Sequence, residues 1–311
     1  MDTVLSASHL TCRYGRTEAV TDLSFDVAPG TVFALLGPNG AGKTTTIRTV
    51  MNILRPSGGA ATVFGVDSRQ LAARELATIG YVSENQALPL WMTVDDLLAY
   101  CKPFYPSWDD ALAARLVAEF DLPRGRKLGR LSRGMRIKAA LVSSLAYRPR
   151  LLVLDEPFGG LDPVVRDDLV HGVLELAGQE QWTVLISSHD LDEVERLADT
   201  IGFMDGGRLV LCERFADLHA RFRRVEATTA DDSAAQSVST VAAGWLGVQR
   251  AGRVVRFIET RYVEGDTERR ATAACHADRV EVFPMTLREM FVALVRARRD
   301  ADRETDKKVP R

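Results

Sequence analysis

Long apolar runs, paired cysteines and a strong charge of one sign are all missing from this sequence of 311 residues. No stretch approaches the ~18 uninterrupted apolar residues that a membrane-spanning helix needs, and the N-terminus has no apolar signal stretch. We therefore expect a chain that does not cross a membrane by itself. The four cysteines form no Cys-x-x-Cys pair, which argues against a zinc site and fits a reducing compartment.

The charges nearly balance. Forty Lys and Arg residues stand against forty-two Asp and Glu residues, for a net charge of −2. A chain of this charge has no bulk attraction to nucleic acid, and we expect no nucleic-acid partner. The remaining composition, 46% hydrophobic and 26% charged, is that of an ordinary folded protein rather than a disordered one.

Strand-like and helix-like patterns alternate along the first two thirds of the chain. Short apolar, β-branched runs predict strands at residues 4–14, 20–27, 31–36, 60–64, 79–83, 151–154, 183–187 and 201–204. Residues 87–150 instead show helical spacing, with Thr93 and Ser107 as predicted N-caps, and we interpret them as a helical insertion. This alternation predicts an α/β fold with a mostly parallel sheet.

The composition changes after residue 221. We predict a first domain over 1–221, an accessory α+β domain over 222–299 and a disordered, highly charged tail over 300–311. In the accessory domain, strands are expected at 253–259 and 280–283, and a capping-box match at Thr286 predicts a helix to about residue 299.

A glycine-rich loop follows the third predicted strand and precedes a predicted helix. It matches the pattern Gly-x-x-x-x-Gly-Lys-Ser/Thr. Glycine lets successive backbone N–H groups surround an anion, and the start of a helix adds a positive dipole end. The residues of this loop expected to bind the phosphates of a nucleotide, which the family resemblance given below identifies as ATP, are Gly37, Asn39, Gly40, Ala41, Gly42, Lys43, Thr44 and Thr45. Lys43 would reach the β- and γ-phosphates, and the Thr44 hydroxyl would bind magnesium.

Two carboxylates end a buried strand at Asp155 and Glu156. Charges rarely follow a run of apolar residues unless a cation or a reaction occupies that edge of the sheet. Asp155 is predicted to hold magnesium and Glu156 to polarise the attacking water. His189 ends another apolar strand at the same predicted edge, where it would contact the γ-phosphate and position Glu156 or the water.

These motifs resemble the nucleotide-binding subunits of ATP-binding cassette (ABC) transporters, over about residues 4–218. The loop is similar to the family's Walker A motif, and the strand ending at Glu156 is similar to Walker B. The resemblance implies a P-loop NTPase cassette with an antiparallel N-terminal β subdomain. It also implies that Tyr14 stacks on adenine, that Glu156 is catalytic and that His189 is the switch histidine.

Residues 131–135, Leu-Ser-Arg-Gly-Met, occupy the place of the family's signature sequence and are called the signature segment below. The resemblance implies that Ser132, Gly134, Met135 and Asp162 contact the ATP of a second subunit, so that the active unit is a dimer. The residues alone favour Ser132 as a helix N-cap, and the resemblance reverses that preference.

The sequence departs from the family pattern at two places. Arg133 and Met135 stand where the family's Leu-Ser-Gly-Gly-Gln has a glycine and the glutamine, and Glu84 stands where the family has the Q-loop glutamine. Because Met135 lacks the side-chain amide of the family's glutamine, the contacts expected across the dimer are weaker. Glu84 is a further candidate magnesium ligand, although its carboxylate would be repelled by the γ-phosphate.

The leading hypothesis is therefore an ATP-hydrolysing motor subunit of an ABC transporter, most similar to the ABC-2-type export subfamily. It would use ATP and Mg²⁺, pair with a second ATP-binding subunit as a homodimer, and drive separate transmembrane permease subunits from the cytoplasmic side of the inner membrane. One alternative is a soluble ABC ATPase acting on ribosomes or DNA. Another is an ATP-binding regulatory module without turnover, against which Glu156 and His189 argue.

Overall fold

The computed structural model describes residues 3–84, 86–230 and 244–308, and the chain divides into two compact units, residues 1–212 and 213–311. Each unit has its own cluster of buried apolar side chains. The domain boundary predicted from composition, after residue 221, stays a prediction. Within the described residues, every helix is too short or too polar to cross a lipid bilayer.

Ten strands and seven helices are described in the first unit and at its end. The strands are β1 (Leu5–Tyr14), β2 (Thr17–Val27), β3 (Val32–Leu36), β4 (Gly58–Val63), β5 (Val66–Asp67), β6 (Ile79–Ser83), β7 (Leu151–Asp155), β8 (Thr183–Ser188), β9 (Thr200–Asp205) and β10 (Arg208–Arg214). The helices are α1 (Lys43–Val50), α2 (Ala73–Leu76), α3 (Val94–Cys101), α4 (Asp110–Glu119), α5 (Arg133–Leu145), α6 (Pro163–Glu180) and α7 (Leu191–Glu195).

Two sheets organise these strands. The antiparallel sheet has the order β2-β1-β4-β5, and the six-stranded sheet has the order β10-β9-β3-β8-β7-β6. In the larger sheet β9, β3, β8, β7 and β6 pair in parallel. This arrangement confirms the predicted α/β class with a mostly parallel core and an antiparallel N-terminal subdomain.

The parallel strands bring three chain segments to one edge of the sheet. Every residue of β7 and β8 is buried, as expected for strands covered on both faces. Asp155 is in register with Ser187, and Leu36 is in register with Ser188. The segments that follow β3, β7 and β8 therefore leave the sheet side by side, at what we call the carboxyl edge.

The predicted cap at Thr93 is confirmed, whereas the one at Ser107 is wrong. The Thr93 hydroxyl accepts from the N–H of Asp96 at 3.1 Å and caps α3. Helix α4 begins two residues later than predicted, because Asp109 caps it by accepting from the N–H of Leu112 at 2.9 Å. The Ser107 hydroxyl instead donates to the carbonyl of Tyr147 at 2.7 Å.

The second unit is an α+β arrangement. Its elements are α8 (Phe215–Arg221), β11 (Arg223–Thr229), β12 (Trp245–Ala251), β13 (Val254–Glu259), α9 (Asp266–Cys275), β14 (Ala277–Pro284) and α10 (Leu287–Lys308). The strands form an antiparallel sheet in the order β12-β13-β11-β14. Trp245 stacks on Phe257 in its core, with ring centroids 3.8 Å apart.

The predicted disordered tail at 300–311 differs from the structure. Helix α10 continues through Lys308, and residues 309–311 lie outside the described residues. Alanine, arginine, glutamate and lysine are good helix formers, so a charged composition does not by itself prevent a helix from continuing.

Candidate functional site

The glycine-rich loop lies at the carboxyl edge between β3 and α1. Gly40 and Gly42 have left-handed backbones, with φ of 82° and 102°. A Cβ on Gly42 would lie 2.4 Å from the carbonyl oxygen of Ala19, so the loop has no room there for a side chain. In a left-handed turn that leads into a helix N-terminus, successive backbone N–H groups can surround an anion. The sequence predicts an anion site of this kind in the loop.

Lys43 lies across this loop. Its side chain is only 5% exposed, and its ammonium group donates to the carbonyls of Gly37 and Pro38 at 2.6 and 3.2 Å. The same nitrogen lies 3.0 Å from Oε1 of Glu156. The loop therefore fixes a cation against the acidic end of β7.

Asp155 is a buried carboxylate with two hydroxyl donors. Thr44 and Ser187 each donate to its Oδ1, at 2.9 and 2.8 Å. Burial raises the pKa of the Tyr81 phenol, and the nearby negative charge of Asp155 raises that pKa further. Asp155 thus places carboxylate oxygens beside the Thr44 hydroxyl.

Ser187 is a site residue that the sequence reasoning missed. Besides donating to Asp155, its hydroxyl accepts from the backbone N–H of Glu156 at 3.0 Å. The signal was present in the sequence, since Ser187 and Ser188 are polar residues at the end of an apolar strand that reaches the same edge. Its role is to hold both acidic residues of the β7 end in place.

Glu156 lies between two basic side chains. Its Oε2 is 2.7 Å from Nδ1 of His189, and its Oε1 faces Lys43. Its backbone is left-handed, with φ of 50°, a conformation that costs a non-glycine residue roughly 1 kcal/mol or more. The Glu156 side chain is 13% exposed and His189 is 50% exposed, so the carboxylate is sheltered and the imidazole faces outward.

The oxygen atoms of Thr44 and Asp155 suit magnesium. In proteins Mg²⁺ is bound by one or two carboxylates together with waters and substrate phosphates. Among the described residues, no group of three or more His, Cys, Asp or Glu side chains could hold a metal on its own. The donor set at this edge therefore fits a magnesium ion whose remaining ligands are waters and the oxygens of a triphosphate.

Glu84 is directed elsewhere. Its carboxylate forms an ion pair with Arg133 at 2.6 Å, and its backbone N–H donates to the carbonyl of Asp155 at 3.0 Å. Glu84 therefore lies at the end of β7, and its carboxylate is paired with an arginine. Its role as a magnesium ligand stays a prediction.

The residues predicted to act on a second subunit's ATP lie at the starts of two helices. The Ser132 hydroxyl accepts from the N–H of Met135 at 3.2 Å and caps α5, while Oδ1 of Asp162 accepts from the N–H of Val165 at 3.1 Å near the start of α6. Gly134 is packed so closely that a Cβ would lie 2.7 Å from Cγ1 of Val165. Ser132 and Asp162 are exposed.

Tyr14 and the outer loop residues are more exposed. Tyr14 ends β1 with 49% of its surface accessible, and Asn39 is also exposed. Thr45, in the first turn of α1, is half-buried, and Ala41 is buried. The roles of these residues in binding adenine and phosphate stay predictions.

Replacing Ser187 with alanine should destabilise the chain by about 0.5–1.5 kcal/mol, because the hydroxyl bonds to Asp155 and Glu156 are lost while the Glu156 N–H keeps the Ser187 carbonyl at 3.2 Å. It should also lower ATP turnover, since Asp155 loses a donor. Thermal unfolding and phosphate release measure the two effects. Ser143→Ala is the matched control, because that buried hydroxyl donates to the Ala140 carbonyl of its own helix. Equal effects of the two substitutions on turnover would contradict the role given to Ser187.

Comparisons with known proteins agree with this geometry. A family model described as ABC transporter matches residues 20–159. The daunorubicin resistance ATP-binding protein DrrA3 of Streptomyces coeruleorubidus is 35% identical over 301 residues, 95% of this chain and 90% of that protein. The sulfate/thiosulfate import ATP-binding protein CysA of Salmonella typhi is 34% identical over 205 residues, 63% of this chain and 56% of that protein.

A solved ATP-binding subunit of an ABC transporter has the same cassette fold. It superposes with a TM-score of 0.63 at 28% identity, covering 70% of this chain and 92% of that one. The resemblance seen in the sequence motifs and the expected P-loop NTPase fold are thereby confirmed. The chain belongs to the ABC transporter family as an ATP-binding subunit, and this is a family of ATPases.

Proposed function

We propose that this subunit binds Mg·ATP at the carboxyl edge, hydrolyses it within a closed dimer and drives a separate transmembrane permease. One observation carries the proposal: two adjacent loop residues contact the two acidic residues, and one of those acidic residues contacts the histidine. Lys43 contacts Glu156 at 3.0 Å, Glu156 contacts His189 at 2.7 Å, and Thr44 contacts Asp155 at 2.9 Å.

The loop would hold the triphosphate. The loop backbone from Gly37 to Gly42, except Pro38, which has no N–H, would supply donors, with Asn39, Gly40 and Ala41 in the turn and Thr45 in the first helical turn. Lys43 is already fixed by two carbonyls, so little side-chain freedom would be lost when its ammonium group engages phosphate. Tyr14 would stack on the adenine.

Thr44 and Asp155 would hold the magnesium ion. When bound, the ion would neutralise charge on the phosphates and stabilise the transition state of phosphoryl transfer. Ser187 would keep the Asp155 carboxylate oriented, because its hydroxyl donates to Oδ1 from the neighbouring strand.

Glu156 would orient and deprotonate the attacking water. Its carboxylate is fixed by His189 on one side and by Lys43 on the other, so it is already positioned at the end of β7. Once Lys43 engages phosphate, Glu156 would be freer to accept a proton. A positioned general base of this kind contributes roughly 10²–10⁴-fold to a rate.

A second subunit would complete the site. Ser132 and Asp162 are exposed at helix starts, where they are accessible to another chain, and a capped helix N-terminus favours anions. Ser132, the buried backbone at Gly134 and Asp162 would contact the partner's ATP. Met135 would contribute backbone only, because its thioether cannot replace an amide donor. We propose a homodimer.

Outward transport is the direction that the comparisons favour. The likeness to the daunorubicin resistance protein extends over 95% of the chain, whereas the likeness to the sulfate/thiosulfate import protein covers 63%. The alignment to the resistance protein is long enough to include most of the second unit, residues 213–311. We therefore propose a subunit of the ABC-2 export type, peripheral to the cytoplasmic side of the inner membrane.

The helical insertion is the proposed contact with the permease. Trp91 and Leu90 at its start are 70% and 54% exposed, and Tyr100 and Phe104 further along are 57% and 62% exposed. Large exposed side chains of this kind are common at protein interfaces.

Affinity purification of the tagged chain from solubilised membranes of its native cells tests the proposal. We expect a polytopic membrane protein to be recovered with it. Trp91→Ala should reduce that recovery roughly tenfold, as expected for loss of an interface residue contributing about 1.4 kcal/mol. Ile53→Ala is the matched control, since Ile53 is 60% exposed outside the insertion. A chain that stays wholly in the soluble fraction, without any membrane protein partner, would contradict the proposal.

A further inference from the structure

An ion pair joins the signature segment to the end of β6. Arg133 is the first residue of α5, Glu84 follows β6, and Nη2 of Arg133 lies 2.6 Å from Oε1 of Glu84 across a separation of 49 residues. The backbone N–H of Glu84 in turn donates to the carbonyl of Asp155 at 3.0 Å. A short series of contacts therefore leads from the start of α5 to the acidic end of β7.

The turn that follows Glu156 packs directly against this pair. A Cβ on Gly159 would lie 3.1 Å from Cδ of Glu84, and a Cβ on Gly160 would lie 2.8 Å from Nη1 of Arg133. Gly160 also has a left-handed backbone, with φ of 68°. The position of the pair is thus defined by the segment that carries the proposed catalytic glutamate.

The local charges explain why Arg133 and Glu84 form a pair. A cation in the first turn of a helix is opposed by the helix dipole, and the first turn of α5 contains no acidic residue. Glu84 supplies the missing negative charge from another element. Arg133 and Glu84 are 41% and 36% exposed, so their attraction adds little to the free energy of folding. Such a pair is better suited to fixing the position of a segment than to stabilising the fold.

We propose that Arg133 and Glu84 are positioning residues that hold the signature segment in register with the Asp155–Glu156 edge of the same chain. In the proposed dimer, the signature segment closes over one ATP while the Asp155–Glu156 edge acts on the other. The pair therefore couples the two sites through one subunit. This inference rests on the proposed function, and it assigns the Glu84 carboxylate to Arg133 rather than to magnesium.

Charge reversal tests the pair. Glu84→Arg and Arg133→Glu should each lower the maximal ATPase rate by roughly fivefold or more, while the affinity of the chain for Mg·ATP changes less than about twofold. The double variant restores an ion pair of opposite polarity and should recover the rate to within about twofold of the wild type. Rescue of this kind separates positioning from a general loss of structure. If a reversed charge prevents folding, Glu84→Gln, Arg133→Gln and their double variant provide a second cycle.

The control pair is Arg124 and Asp95, which lie 2.8 Å apart and are 58% and 50% exposed in the same unit. Arg124→Glu should leave the rate unchanged. Single variants with wild-type rates, or a double variant no better than the worse single one, would overturn the inference. A double variant that stays slow and needs more Mg²⁺ would also overturn it, by assigning Glu84 to the metal. If the wild-type chain neither binds nor hydrolyses ATP, the proposed function itself fails.

Discussion

Replacing Glu156 with glutamine is expected to reduce ATP turnover by roughly 10²–10⁴-fold while ATP still binds. The amide has nearly the shape of the carboxylate and can still bond to His189, but it cannot take a proton from water. It also removes the anion that lies 3.0 Å from the Lys43 ammonium, which leaves that group available to phosphate. Phosphate release and equilibrium ATP binding, measured on the same preparation, distinguish the two effects.

The same variant should accumulate as the proposed dimer, since ATP that is not hydrolysed would keep the two subunits closed. Gel filtration with and without Mg·ATP measures this. Glu119→Gln is the control, because Glu119 is 48% exposed on α4 and should affect neither turnover nor dimer formation. A Glu156→Gln protein that hydrolyses ATP at the wild-type rate would show that the role given to Glu156 is wrong.

Lys43→Ala is expected to weaken ATP binding by roughly 100-fold. A charge-assisted hydrogen bond contributes about 1.5–3 kcal/mol, and each 1.4 kcal/mol is tenfold in affinity. The substitution also leaves the sheltered Glu156 carboxylate without its cationic neighbour, so that it would repel the phosphates. Calorimetric titration with Mg·ATP measures the loss.

Lys102→Ala is the matched control for the lysine. The Lys102 ammonium pairs with Asp110 at 2.7 Å on the insertion and is 52% exposed. We expect unchanged ATP affinity there. If Lys43→Ala bound ATP as tightly as the wild type, the loop could not be gripping the triphosphate through its lysine.

Local sequence signals were sufficient to predict the main sheet and to recognise the family. The apolar run that ends at Asp155 predicts a buried strand, and every residue of that strand is buried. The glycine spacing before Lys43 predicts a turn into a helix, and α1 begins at Lys43. These features depend on neighbouring residues, so spacing along the chain is enough to recognise them.

Contacts between segments that are far apart in the chain could not be predicted from spacing. Ser187 bridges Asp155 and the backbone of Glu156 only because β7 and β8 pair in parallel, with Asp155 opposite Ser187. The Arg133–Glu84 pair depends on where α5 begins relative to β6. A sequence pattern does not specify these distances, which arise from tertiary packing.

Ser107 shows a more local limit. Serine and aspartate are both good N-caps, and the sequence offers one of each within three residues. Arg148, which lies 3.0 Å from Asp109, favours the aspartate, and that contact spans 39 residues. A contact with a residue outside the helix therefore favours Asp109 over Ser107 as the N-cap.

The most direct measurement is an equilibrium titration of the purified chain with Mg·ATP. The account predicts saturable binding of one nucleotide per subunit, strongly reduced by the change at the loop lysine. Absence of binding under every condition, including in the presence of the proposed permease partner, would contradict it.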